Sequence, residues 1–273
     1  SRLKSLFSIM KKEDWNPEWM EKHIQDYIDD LPNRKEYIYS RKYKQYSAGD
    51  LKEAKYQEEV QRMELLRAAI SLLPVYQDAL HKRGRFDFDD MIQWVLRRFE
   101  TDPDFLLQYQ EKFLYFLIDE YQDTNGSQNE IVRLLGNYFE TPNTFVVGDD
   151  DQSIFRFQGA NMQNIIEFNE RFGDRLQRVV LKSNYRSSQH ILDLAMSLID
   201  RNETRIVKGD HKKLKASNPK FADADLLPQL IRFPDDLHEI AATAHHIKSL
   251  HQQGTPYKEI AVIYSQHKFA EPL

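Results

Sequence analysis

The apolar positions divide the chain into a helical opening and a later part in which strands and helices alternate. From Asp50 to Leu73, the residues Leu51, Ala54, Val60, Met63, Leu66, Ile70 and Leu73 recur with a period of about 3.6, which predicts an amphipathic helix. Asp50 stands at a capping position and Glu53 at the matching capping-box position, while Pro74 is expected to end or kink the helix. Further back, Asp14-Trp-Asn-Pro-Glu reads as a cap with proline in the first turn. Between these helices, Arg34 to Tyr46 interleaves tyrosines with cations. That composition suits either a stacking surface for single-stranded nucleic acid or an amphipathic helix with its tyrosines turned inward. Residues 1–85 therefore read as an all-helical piece.

After Gly84 the pattern changes. Phe86-Asp-Phe-Asp-Asp90 caps a helix to about Glu100, and Thr101-Asp-Pro-Asp104 is a turn into another that ends near Glu111. Phe113–Ile118 and Thr144–Val147 are strand-like, and each runs straight into acid: Asp119-Glu120 after the first, Asp149-Asp150-Asp151 after the second. A helix over Gln128–Phe139 separates them, so they are expected to be neighbouring parallel strands with carboxylates at their carboxyl ends, where α/β proteins bind ligands. Asn161–Phe172 reads as a helix closed by Gly173. Arg178–Leu181 reads as a strand, followed by a helix over Ser188–Asp200 and a lysine-rich loop over 202–226. Leu227–Phe233 and Glu259–Tyr264 read as strands around a helix over Asp236–Gln252. The predicted class is α/β behind an all-helical start.

Composition narrows the partners. The chain has 273 residues, 41% hydrophobic and 30% charged, so one large or two ordinary domains are expected. It has no membrane-length apolar run and no signal-peptide pattern, and a cytoplasmic location is expected. It has no cysteine, which excludes disulfides, thiolate nucleophiles and cysteine-zinc sites. The net charge is −5, but Arg178–Lys220 holds ten Lys+Arg against four Asp+Glu, a basic tract compatible with a polyanion contact or with a solvated face.

An acidic pair at a strand end suits a magnesium–phosphate complex: one carboxylate holds the metal and the other polarises water. The pair belongs to a longer run, Leu117-Ile-Asp-Glu-Tyr-Gln-Asp-Thr-Asn125. A second run is Val146-Val-Gly-Asp-Asp-Asp-Gln-Ser-Ile-Phe-Arg-Phe-Gln-Gly-Ala160, and a third is Leu181-Lys-Ser-Asn-Tyr-Arg-Ser187. In this order and spacing they resemble motifs II, III and IV of the superfamily 1 DNA helicases of the UvrD/Rep/PcrA type, over roughly residues 86–273. The resemblance implies RecA-like P-loop NTPase motor pieces, with incomplete parallel sheets and flanking helices. It implies a helical accessory subdomain over 1–85, part of a first motor domain over 86–177, and the start of a second over 178–273.

It also implies roles. Asp119 would coordinate Mg²⁺, with Glu120 beside it activating the hydrolytic water. Gln152 would sense the γ-phosphate and couple it to the DNA groove. Arg186 would reach the γ-phosphate as an arginine finger does, and Tyr185 would stack on the nucleotide. Phe155 and Phe157 would lie at the single-strand groove, with Arg156 beside them. ATP and Mg²⁺ are the implied cofactors, and single-stranded and duplex DNA the implied partners. The family commonly has Tyr-Gly-Trp-Arg-Gly-Ala where this chain has Phe155-Arg-Phe-Gln-Gly-Ala160, so the groove contacts are altered in detail.

No Gly-x-x-x-x-Gly-Lys-Ser/Thr loop occurs. The chain is therefore expected to be an internal fragment of a longer helicase, inactive as an ATPase alone and prone to self-association through exposed sheet edges. Two other classes remain open on the residues. One is a metal-dependent nuclease or hydrolase using Asp119, Glu120 and Asp149–Asp151 as a two-metal site. The other is a nucleic-acid-binding module with a degenerate motor.

Overall fold

The structure is a computed structural model that describes residues 2–152, 162–201, 212–221 and 227–269. These residues fall into two compact units, one running to Val179 and the other beginning at Val180.

In the first unit, α1 (Arg2–Lys12) and α2 (Pro17–Asp30) are joined by a tight turn. The Asn16 side chain caps α2 by accepting from Trp19 N, with Pro17 in the first turn where its missing N–H costs nothing. Then come α3 (Glu53–Ile70) and α4 (Leu73–His81). Phe7, Met10, Met20, Ile24, Ile28, Ile70 and Leu73 form one apolar core, with Val60, Met63 and Leu66 packed on its edge. The period seen over 50–73 thus does mark a buried face, but both ends differ from expectation. Lys52, which makes no capping bond, stands at the start of α3, while the Asp50 carboxylate accepts from Ser47 N at 2.6 Å and closes the preceding turn. Pro74 lies in the first turn of a new helix, because α3 has already ended at Ile70.

The tyrosine-rich run is not the amphipathic helix of one expectation. Ile38 bridges Leu51 and Tyr43 bridges Tyr46, both antiparallel, and the chain folds back on itself. Tyr39 stacks on Tyr46 at 4.8 Å and on Tyr43 at 6.1 Å between ring centroids. Lys52 and Lys44 lie over the Tyr39 and Tyr43 rings. Ring stacking within a short turn satisfies these side chains without a core.

Next come α5 (Phe88–Thr101), α6 (Pro103–Lys112), β1 (Phe116–Ile118), α7 (Gly126–Gly136), β2 (Thr144–Val146) and α8 (Met162–Phe172). α5 opens on a full capping box between Asp87 and Asp90, and Asp102 caps α6. β1 and β2 pair in parallel, with Phe116, Leu117 and Ile118 opposite Thr144, Phe145 and Val146. The helical opening is tied into this part through Lys11. Its ammonium, 2% exposed, pairs with Asp90 at 2.7 Å and Asp87 at 2.8 Å. Its backbone carbonyl accepts from Ser127 Oγ at 2.6 Å and Gln93 Nε2 at 2.6 Å. A Cβ at Gly126 would meet the Glu13 carbonyl oxygen at 2.9 Å, so only glycine lets the end of α1 pass this close to the start of α7.

In the second unit, β3 (Ser183–Asn184) pairs in parallel with β4 (Lys215–Ala216), and α9 (Gln189–Ile199) and α10 (Asp236–Gln252) follow their expected spans. The expected strands at 178–181, 227–233 and 259–264 are not ladders among the described residues; Leu181, Leu230 and Ile263 are 75%, 89% and 95% exposed. An apolar run becomes a strand only where a neighbour supplies the partner N–H and C=O groups, and among the described residues these runs have no such ladder. The loop expected at 202–226 contains β4.

Burial alone would push the Lys11 ammonium down, yet its hydrogen bonds to Asp87 and Asp90 carry it above the ordinary lysine value. Burial alone would likewise push Asp87 up, but Lys11 and the Asp90 amide hold it below the carboxylate range. The Asp87 contribution to stability is thus complete above about pH 4 and lost as pH falls through its lowered value. The Lys11 contribution is complete below about pH 10 and lost as pH rises through its raised value. Lys11→Ala strands Asp90 in the interior and should cost about 3–5 kcal/mol in urea unfolding at neutral pH. A loss below 1 kcal/mol would mean that the cluster is not what joins α1 to α5.

Candidate nucleotide-phosphate site

The carboxyl ends of β1 and β2 carry the site in the first unit. Their pairing continues past the strands: Val147 N donates to Ile118 O at 2.8 Å, and Tyr121 N to Val147 O at 2.9 Å. The two acidic runs are therefore laid side by side by backbone hydrogen bonds. Between these bonds the chain turns at Glu120, whose φ of 48° and ψ of 44° are left-handed. For a residue other than glycine this conformation costs about 1–3 kcal/mol unless its surroundings enforce it. The Asp119 carboxylate accepts from Glu120 N at 2.9 Å and braces the turn. Both carboxylates face solvent.

A short turn over Tyr121–Asp123 then leads to Asn125, which caps α7 through a box with Gln128. Tyr121 is 1% exposed, lies edge-on to Phe168 at 5.4 Å, and donates to Asn129. Burial pushes its hydroxyl up to about 12, so it stays neutral as a donor. From α8, Asn164 Nδ2 donates to Thr124 O at 2.9 Å and fixes the far side of the turn.

Gln122 is the residue that sequence reasoning left without a role. It is 1% exposed. Its Nε2 donates to Glu120 Oε2 at 2.6 Å, and its Oε1 accepts from Asp149 N at 3.0 Å. A Cβ at Gly148 would come within 2.9 Å of that Oε1. The signal in the sequence was the glutamine two residues after the acidic pair, but its burial depends on a loop about 27 residues away. Asp149 in turn accepts Gln152 Nε2 at 2.7 Å and Asp151 N at 3.2 Å. Asp149 thus orients Gln152, which is exposed.

The carboxylate oxygens of Asp149, Asp150 and Asp151 come within 4.8 Å of one another, but Asp119 and Glu120 do not join them among the described residues. Phe155, Arg156 and Phe157 lie outside the described residues.

In the second unit, the Asn184 carboxamide accepts from Arg186 N at 2.9 Å and Ser187 N at 2.8 Å, and Asn218 Nδ2 donates to Tyr185 O at 2.9 Å. These bonds hold the backbone between β3 and α9 and leave the side chains of Tyr185 and Arg186 exposed. Gln189 accepts from Ala216 N at 2.9 Å and ties α9 to β4.

Carboxylates at the carboxyl ends of neighbouring parallel strands stand where open α/β sheets bind ligands. Residues 1–173 match the UvrD/REP helicase N-terminal domain, and residues 179–273 match the UvrD-like helicase C-terminal domain. The chain belongs to the UvrD/REP helicase family, and its small parallel sheets with flanking helices are RecA-like. Among its relatives is the ATP-dependent DNA helicase PcrA of Staphylococcus epidermidis, 37% identical over 192 residues, which are 69% of this chain and 24% of that protein. The protein of the same name from Leuconostoc citreum is 44% identical over 133 residues, 49% of this chain and 17% of that protein. The one from Staphylococcus aureus is 42% identical over 134 residues, 49% of this chain and 18% of that protein. The chain thus spans about a quarter or less of the length of the curated relatives it matches. No helix among the described residues is long and apolar enough to cross a membrane.

Gly148→Ala drives a methyl group at a Gln122 amide already bonded at both ends. It should cost about 1–3 kcal/mol in thermal or urea unfolding and speed hydrogen exchange at the Asp149 amide. Wild-type exchange there would mean that the two loops are not locked together through Gln122.

Proposed function

We propose that this chain is part of an ATP-dependent DNA helicase or translocase, in which ATP hydrolysis drives movement along single-stranded DNA and duplex unwinding. The observation that carries this reading is the pairing of β1 with β2, which sets Asp119 and Glu120 beside the loop holding Gln152. The names of the relatives support it. Residues 1–85 are assigned to a helical accessory subdomain, 86–177 to the first motor domain and 178–273 to the start of the second.

The residues fit Mg–ATP. Mg²⁺ prefers one or two carboxylates and completes its shell with water and substrate phosphate, and Asp119 offers an exposed carboxylate for this. The bound ion supplies charge neutralisation at the phosphates. Glu120 takes the proton from the attacking water and Gln152 answers to the γ-phosphate; Arg186 is assigned to phosphate on sequence alone, as a fixed positive charge. Tyr185, 65% exposed, offers a ring face to the nucleotide base. Phe155, Phe157 and Arg156 are assigned to the DNA strand on sequence alone. A cytoplasmic location accords with this function.

Leu117 and Phe145, directly opposite each other in the β1–β2 register, are 76% and 63% exposed. An uncovered apolar sheet face of this kind supports self-association of the isolated chain. Light scattering should show a mass that rises with concentration, and a clean monomer throughout would overturn this point.

The functional test is Glu120→Gln in the full-length parent. Hydrolysis should fall by about 10²-fold or more while fluorescent ATP-analogue binding is kept. Normal turnover in this variant would sink the mechanism.

A further inference from the structure

We infer that Gln122 is a positioning residue that sets the Glu120 carboxylate according to the position of the Asp149–Gln152 loop. This rests on the reading of Glu120 as the residue that activates water. Gln122 is 1% exposed, yet both ends of its amide are used. The donor end holds Glu120 Oε2 at 2.6 Å. The acceptor end takes the Asp149 amide at 3.0 Å. Asp149 also orients Gln152, through its carboxylate at 2.7 Å and its backbone carbonyl, which accepts from Gln152 N at 2.9 Å.

The path from Gln152 to Glu120 therefore runs through Asp149 and the planar amide of Gln122, each link a direct hydrogen bond. Gly148 leaves no slack: there is room for the amide oxygen but not for an added Cβ. A glutamine amide is suited to the task because it is neutral, so burial costs little once both ends are bonded, and its donor and acceptor lie at a fixed separation. A displacement of the 149–152 loop must either break the bond to Asp149 or carry Gln122 with it, and in the second case Glu120 moves too. The loop that answers to the γ-phosphate would thereby align the carboxylate that activates water.

Gln122→Glu separates this role from simple turn-locking. In its ionised form the new carboxylate can still accept from the Asp149 amide but cannot donate to Glu120 and opposes it, so the assay is run on the alkaline side, where both groups are charged. In the full-length parent, kcat for ATP hydrolysis should fall about 10–100-fold, with KM for ATP and hydrogen exchange at the Asp149 amide unchanged. Gln122→Met, which loses both bonds, should show the same fall in kcat together with faster exchange at Asp149. In the isolated chain, NMR should find the Gln122 side-chain amide protons protected from solvent exchange, with protection lost in Glu120→Ala. If Gln122→Glu does not fold, Gln122→Met carries the test through kcat. Wild-type kcat in a folded Gln122 variant, or protection unaffected by Glu120→Ala, overturns the inference. If Glu120→Gln turns over normally, the reading of Glu120 fails first; if it is dead while Gln122 variants are active, only this inference fails.

Discussion

A lysine that cannot reach water organises the first unit. Lys11 lies in the last turn of α1, with its ammonium closed in by Asp87 and Asp90 and with its carbonyl taken by Gln93 and Ser127. Removing a single partner from such a cluster leaves a charge without compensation in a poorly polarisable interior, so its members are held together more tightly than surface ion pairs. Asp87 and Asp90 are also the capping box of α5, and Ser127 lies in the first turn of α7. One side chain and one carbonyl thus fix the starts of two helices against the end of a third. The turn after Glu120 finishes at the Asn125 cap of α7, so the far end of the candidate site is anchored to the helical opening of the chain.

Much of this arrangement was legible because it is local. The capping pattern at Asp87, the proline turn at Asn16-Pro17 and the acids after two strand-like runs all act within a few residues. The parallel pairing followed from two apolar runs with a helix between them. What stayed hidden depends on distant neighbours. Lys11 sits beside Lys12 and near Lys4, and nothing in that stretch distinguishes the one lysine that is buried. The same holds for Gln122, whose partner at Asp149 comes from another strand end. The expected strands of the second unit failed for a related reason: apolar sequence creates the tendency, but the ladder needs a partner strand.

The helicase motifs carried the family assignment because they concentrate unusual residue choices at short range. They carried less about how each residue is held. Asp119 and Glu120 were singled out as a pair, but the structure gives them different tasks in shaping the turn: Asp119 braces it from its own side chain, and Glu120 occupies its strained point. The three aspartates at 149–151 looked like metal ligands in isolation, yet Asp149 is spent on orienting Gln152.

The left-handed backbone at Glu120 bears on how evenly this site could be populated. A free energy of about 1–3 kcal/mol corresponds to a factor of roughly 5–150 between two states. A chain with only its own preferences would therefore spend most of its time with the carboxylate turned elsewhere. The hydrogen bonds from Glu120 N to Asp119, from Gln122 to Glu120 and from Tyr121 N to Val147 O reverse that ratio. The occupancy of this orientation is then a property of its neighbours, and loosening any one of them dilutes it without touching Glu120 itself.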